Sequence, residues 1–476
     1  MRDEDMSVDV ACCNSATQLL HDRGVNPGVA DAFDFGWAVR SGQVHVVRYL
    51  CELPADRGVN PGAGDNKAIR SAAANGHVDV VRYLCELPGD RGVNPCALGN
   101  YAIRLAATNG HVDVVRYLCE LPGGRGVNPG AGINAAIRWT AQCGHVDVVR
   151  YLCELPGDRG VNPGADDNTA IRWAAECGHV DVVQYLCELP ADRGVNPGAG
   201  DNAAIRWAAQ RGHVDVVRYL CELPGDRGVN PAACDNSALR WAAYNGHVDV
   251  VRYLCELPGD RGVNPGADDN YAIQQAAQNG IVNVVRYLCE LPADRGVNPG
   301  ADDNSAIQCA AYNGRVDVVR YLCELPGDRG VHPGACDNYA IRCAAQNGHM
   351  NVVRYLCELP GDRSVNPAAR DNSAIRWASQ HGHVNVVRYL CDVLSSHSQL
   401  NQCTPRDVPP NSAAQCLYHA HTMAFAATWK HLPGVAKYHT LFARMSARRP
   451  VLVLHSLVRR FRCRHDGDRG ARRPRR

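Results

Sequence analysis

Asp167-Asn-Thr-Ala-Ile-Arg-Trp-Ala-Ala-Glu-Cys-Gly178-His-Val-Asp-Val-Val-Gln-Tyr-Leu-Cys-Glu-Leu-Pro-Ala-Asp-Arg-Gly-Val-Asn-Pro-Gly-Ala-Gly200 decides the fold, because almost the same letters recur on both sides of it. Gly42, Gly76, Gly110, Gly144, Gly178, Gly212, Gly246, Gly280, Gly314, Gly348 and Gly382 stand 34 residues apart without one insertion. A fixed period of this length is the mark of a stacked repeat, in which each copy buries its apolar face against the next.

Each copy divides into two short helices and a loop. Asn66, Asn168 and their equivalents up to Asn372 stand where a side-chain oxygen N-caps the first helix. Ala-Ile-Arg-Trp-Ala-Ala follows, with paired alanines that let a neighbouring backbone approach closely. Gly178 then breaks that helix and turns the chain. In the second helix, Val78 to Leu87, only Asp79, Arg82 and Glu86 are polar. They form one narrow stripe at i, i+3 and i+7, so the rest of the circumference is buried from more than one side. The stripe itself reads as a solvated surface. Pro88 ends the helix, and Gly89-Asp-Arg-Gly-Val-Asn-Pro is turn chemistry.

The order Asn-x-Ala-Ile-Arg-x-Ala-Ala-x-x-Gly-His-x-x-Val-Val-x-x-Leu…Gly-Val-Asn resembles the ankyrin repeat over roughly residues 8–391. Two departures stand out. The family's opening Thr-Pro-Leu-His reads x-Ala-Ile-Arg here, and the linker after the second helix is one residue longer. The resemblance implies an all-α solenoid of about eleven stacked helix-turn-helix units with projecting loops. It also implies a protein-interaction role, with partners met at loop tips and on the concave side of the first helices.

Composition agrees with a folded chain: 46% of the 476 residues are apolar and 21% charged, an ordinary globular balance. The net charge of +1 conceals a division. Residues 392–476 hold 15 Lys and Arg against 4 Asp and Glu, net +11, so residues 1–391 are net −10. Expected boundaries are 1–30 for a degenerate half-unit cap, 31–394 for the array, 395–458 for a linker with weakly helical stretches, and 459–476 for an Arg-rich end. No apolar leader or stretch of about 20 apolar residues is visible. Eleven of the 23 cysteines form one column from Cys51 to Cys391, and layers about 8–10 Å apart are too far for disulfides or shared metal ligands. Free core thiols suit a reducing interior, so the expected location is cytoplasm or nucleus. The same spacing argues against a metal array in the histidine column after the glycines.

Two sets of changing letters carry the functional expectation. Trp139, Trp173, Trp207 and Trp241 occupy one first-helix column in consecutive copies, where other copies have Ser71, Leu105 or Cys309. A buried column would hold its volume constant, so these rings are expected to be half-exposed anchors; the alternative is packing against the next layer. Around the pair before each glycine and the residue after the Asn, the expected partner-binding residues are Gln142, Glu176, Gln210, Arg211, Tyr244, Gln278 and Tyr312, with Tyr101, Tyr271 and Tyr339. No phosphate-binding, zinc-protease or serine-hydrolase motif is present, so the reading is of a non-catalytic protein without cofactor, monomeric and not membrane-bound. Nucleic-acid contact is confined to the basic end formed by Arg459, Arg460, Arg462, Arg464, Arg472, Arg473, Arg475 and Arg476. Nuclear import, recruitment of a second protein by the tail, and an arm folded onto the acidic body are the competing uses of that end.

Overall fold

The computed structural model describes residues 35–396, except 54–58, 89–92, 123–126, 157–160, 225–226, 228, 259–260, 330 and 361–364. The half-unit cap and, beyond Ser396, the linker and the Arg-rich end lie outside the described residues. Among the described residues there are 22 α-helices and no strand. They alternate as first and second helix of eleven copies. The first helices are α1 (35–40), α3 (Ala63–Ala74), α5 (Ala97–Thr108), α7 (Ala131–Cys143), α9 (Ala165–Cys177), α11 (Ala199–Arg211), α13 (Ala233–Asn245), α15 (Ala267–Asn279), α17 (Ala301–Tyr312), α19 (Ala335–Gln346) and α21 (Ala369–Gln380). The second helices are α2 (Val44–Glu52), α4 (Val78–Glu86), α6 (Val112–Glu120), α8 (Val146–Glu154), α10 (Val180–Glu188), α12 (Val214–Glu222), α14 (Val248–Glu256), α16 (Val282–Glu290), α18 (Val316–Glu324), α20 (Met350–Cys357) and α22 (Val384–Ser396).

The described residues divide into two compact units, one up to residue 242 with 249–263, the other of 243–248 with those from 264 onward. In the first unit α3, α5, α7, α9 and α11 pack in series, as do α2, α4, α6, α8, α10 and α12. In the second unit α15, α17, α19 and α21 pack in series, and α16, α18, α20 and α22 likewise. The periodic letters form the core. Ile69, Ala72 and Ala73 of α3 and Val80, Val81, Leu84 and Cys85 of α4 are buried, and the same positions are buried in the following copies except Cys357, Ile375 and Cys391, which are half-buried. No helix among the described residues is long and apolar enough to cross a membrane.

The link between helices depends on glycine. Gly144 has φ 81°, and a Cβ built on it would lie 2.4 Å from Nδ1 of His179 in the next copy. That ring fills the notch and donates from Nε2 to the carbonyl of Gln142 at 2.9 Å; because a carbonyl only accepts, Nε2 carries the proton. The histidine column is therefore a row of clamps between copies. Arg315 replaces one histidine and donates from Nε to Gln278 O at 3.1 Å. Ile281 replaces another, and there Asn279 Nδ2 donates to Tyr244 O at 2.8 Å.

The expected N-caps are not made. From α3 to α21 three residues in succession at the start of each first helix turn left-handed, such as Asp166, Asp167 and Asn168 of α9 at φ 56°, 53° and 58°, and α9 has no side-chain cap bond. Asp, Asn and Gly tolerate this conformation best, which is why these letters crowd here. The asparagine oxygen instead accepts from the next copy: Asn168 Oδ1 takes the Asn196 N–H at 2.7 Å, and Asn100 takes that of Asn128 at 2.8 Å. These asparagines are largely buried, so the bond satisfies a group that would be costly to leave alone.

The stripe on the second helices is exposed as expected, with Asp79, Arg82 and Glu86 at the surface, and it also links copies. Arg82 lies 5.3 Å over the Tyr117 ring of the next copy and Arg150 lies 4.6 Å over Tyr185, a cation–π row linking copies. Further arginines close the helix ends. Arg227 Nη2 donates to Cys187 O and Arg261 Nη2 to Cys221 O, placing positive charge where helix carbonyls lack partners.

Candidate functional site: the first-helix face

The face is built on the left-handed turns. After each turn the Ala-Ile-Arg segment sends its arginine back over it: Arg138 Nη2 donates to Gly132 O at 3.1 Å and Arg172 Nη2 to Asp166 O at 3.1 Å. The same arginines meet the next copy. Arg138 pairs with Asp166, and its guanidinium stands 5.8 Å over the Trp173 ring. Arg172 stands 5.5 Å over Trp207, with Asp167 Oδ2 at 3.8 Å from its Nη1. Each indole is thereby oriented by the layer before it. One face of the ring is committed to the scaffold, and the remaining surface is offered outward.

Trp139 is 36% exposed and Trp241 42% exposed, while Trp173 and Trp207 are half-buried. All four lie in the first unit. None of the remaining ten candidate residues is buried either: Gln142, Arg211, Tyr271, Tyr312 and Tyr339 are exposed, and Tyr101, Glu176, Gln210, Tyr244 and Gln278 half-buried. Several already have partners. Arg211 Nη2 pairs with Glu176 Oε1 at 2.8 Å, and that bond pushes the guanidinium pKa upward. Tyr101 is held between Arg70 at 5.7 Å and Arg104 at 4.8 Å. Its surface is thus spent largely on the scaffold. The Tyr339 hydroxyl is pushed up by its bond to Cys343, whose own thiol is pushed up by burial.

The arginine of Ala-Ile-Arg was not among the expected site residues. It recurs in eight of the ten copies from α3 to α21, so it does not stand among the changing letters, yet Arg138 and Arg172 meet the variable ring one copy on. The period contained the signal, since Arg138 and Trp173 stand one period and one residue apart. Among the described residues no group of three or more His, Cys, Asp or Glu converges as metal ligands would. The cysteine column is buried from Cys51 to Cys323. Burial pushes the thiols of Cys153, Cys187, Cys221, Cys289 and Cys357 up to about 12, so they are inert at neutral pH. The chemistry this face can perform is contact: aromatic surface, amides, carboxylates and guanidinium groups on a fixed frame.

A family model described as ankyrin repeats (3 copies) matches residues 35–131, 103–197, 189–269, 257–335 and 325–402. Among solved structures the chain is similar to an ankyrin repeat family protein from Legionella pneumophila, at 21% identity over 66% of this chain and 85% of that one, with a TM-score of 0.27. The search of curated proteins gives no match. The five family matches overlap from residue 35 to residue 402, and the chain belongs to the ankyrin repeat family.

Proposed function

We propose that the array is a non-catalytic docking scaffold that binds another protein through the turns and the first-helix face. One observation carries this reading. The fourteen candidate side chains, drawn from the positions that change from copy to copy, are exposed or half-buried, whereas the constant Val-Val-x-x-Leu and Ala-Ile positions are buried in nearly every copy. A frame that is constant inside and variable outside binds without ordering itself first, and little entropy is lost on association. Trp173 and Trp207, held by Arg138 and Arg172, are the anchors of the first unit, with Gln142 and Gln210 beside them.

The test is selection of peptides from a displayed random library on the intact chain, followed by rebinding to Trp173→Ala with Trp207→Ala. The expected outcome is that most selected peptides lose tenfold or more in affinity. Peptides that bind both proteins equally would remove the tryptophan row from the site.

A further inference from the structure

From α3 to α21 the turn that opens each first helix carries at least one aspartate, except in two adjacent copies of the first unit. The turn of α5 reads Leu98-Gly99-Asn100 and that of α7 reads Gly132-Ile133-Asn134. The loop between them also has a glycine, Gly124, where Asp90 and Asp158 stand one copy before and after. Arg104 is in consequence the one arginine of its column with no aspartate in its own turn or in the next.

The pair it lacks stands one copy later. Arg138 of α7 meets the carboxylate of Asp166 in the next turn. Residue 132 holds the place of Asp166 one copy earlier, and it is glycine. A Cβ built on Gly132 would lie 3.7 Å from Nη1 of Arg104, so a carboxylate brought to that spot reaches the nitrogen. The guanidinium is already held in place. Its Nη2 donates to Leu98 O at 3.2 Å, and it stands 4.8 Å over the Tyr101 ring. Among the described residues Arg104 forms no ion pair.

The flanks of this spot are aliphatic. Leu98 and Ile133, 53% and 67% exposed, are the large aliphatic side chains exposed among the described residues. They stand at φ 53° and 55°, a left-handed conformation that such side chains disfavour. Strain kept at the surface by two neighbouring turns points to a use for the groups it exposes.

We propose that the turns of α5 and α7 dock an acidic, leucine-bearing extended segment of a partner protein, whose carboxylate takes beside Arg104 the position that Asp166 holds beside Arg138. This rests on the reading that the first-helix face docks proteins and adds the chemistry of one partner. Charge selects the occupant, because a guanidinium takes a carboxylate through paired N–H donors. Apolar cover from Leu98 and Ile133 strengthens that bond by excluding water. Packed layers lie about 8–10 Å apart, and a polyproline-II chain advances about 9 Å in three residues. Leucines three residues apart thus meet Leu98 and Ile133 with the acid between them.

The test is fluorescence anisotropy on the full chain with a labelled peptide of three Leu-Pro-Glu triplets, beside Leu-Pro-Gln and Ala-Pro-Glu versions. The first is expected to bind, and each of the others about tenfold more weakly. Gly132→Asp supplies the carboxylate from the chain itself. The fold accepts it, since Asp166, Asp268 and Asp302 hold φ 56°, 53° and 50° at the same place. This variant is expected to keep its circular dichroism spectrum and to bind about tenfold more weakly. Ile133→Asn should weaken binding about threefold while raising the denaturation midpoint. Equal binding by Gly132→Asp overturns the proposal, as does equal binding of the glutamine peptide. If the Leu-Pro-Glu peptide does not bind while library-selected peptides still depend on Trp173 and Trp207, the acidic partner is overturned and the docking scaffold stands. Binding that emerges only when Asp3, Glu4 and Asp5 are changed to Asn, Gln and Asn assigns the face to the chain's own start and overturns the partner. Self-association of the chain alone that is lost in Gly132→Asp, read by sedimentation, assigns the face to a second copy and also overturns it.

Discussion

Ile133 is the residue least suited to its place. It sits at φ 55° in the left-handed turn at the start of α7, where the other copies from α3 to α21 have Asp or, once, Gly99, and it is 67% exposed. A β-branched side chain in this region is strained by about 1–2 kcal/mol. Ile133→Asn is therefore expected to raise stability by about 1 kcal/mol, seen as a higher denaturation midpoint with unchanged slope. Gly144→Ala should do the reverse, since its φ of 81° is unfavourable for alanine and the new methyl meets His179; a loss of about 2 kcal/mol or more is expected in the same measurement. The buried thiols titrate with a defined sign. Their pKa is raised on folding from 9.0 to about 12 at Cys153, Cys187, Cys221, Cys289 and Cys357. The stability they contribute is complete below pH 9 and is lost as the pH rises through 12. Denaturant midpoints are expected to fall across that window, and a flat profile would contradict the burial argument.

The elements are joined by ladders, and each ladder has a place where it is interrupted. Gln184 stands where the other second helices from α2 to α22 have arginine, so Tyr219 lacks the guanidinium that covers Tyr185 and Tyr253. Gln184→Arg is expected to complete the row between α10 and α12 and add about 0.5–1 kcal/mol. A Tyr219→Ala partner mutation in a double-mutant cycle would isolate that coupling. The asparagine ladder shows why one sequence signal was misread. Asn followed by a helix is the pattern of an N-cap, a contact between neighbours in the chain. The true partner of Asn168 is the amide of Asn196, 28 residues on. Within one copy the two roles favour the same letter. Only placement of the next copy separates them. The tryptophan column was legible for the opposite reason: variation at a fixed position is visible in the letters themselves, and half-burial of Trp173 and Trp207 follows from it.

The bonds that join copies reach only the neighbouring copy, so perturbation should remain local. Asn168→Ala removes the acceptor of the Asn196 amide and puts alanine at φ 58°. Hydrogen exchange should rise in α9 to α12 while α19 to α22 keep the protection they have in the unaltered chain. A uniform rise along the chain would show that the copies unfold as one body. The sequence by itself determined the number and order of the helices, the glycine turns, the buried Val, Leu, Ile and Cys positions and the family, because a period of 34 repeated eleven times writes burial directly into the letters. The tertiary structure alone decided what the polar constants do. The asparagines, histidines and arginines find their partners one copy away, and a hydrogen bond or cation–π contact depends on a direction in space that no spacing of letters specifies.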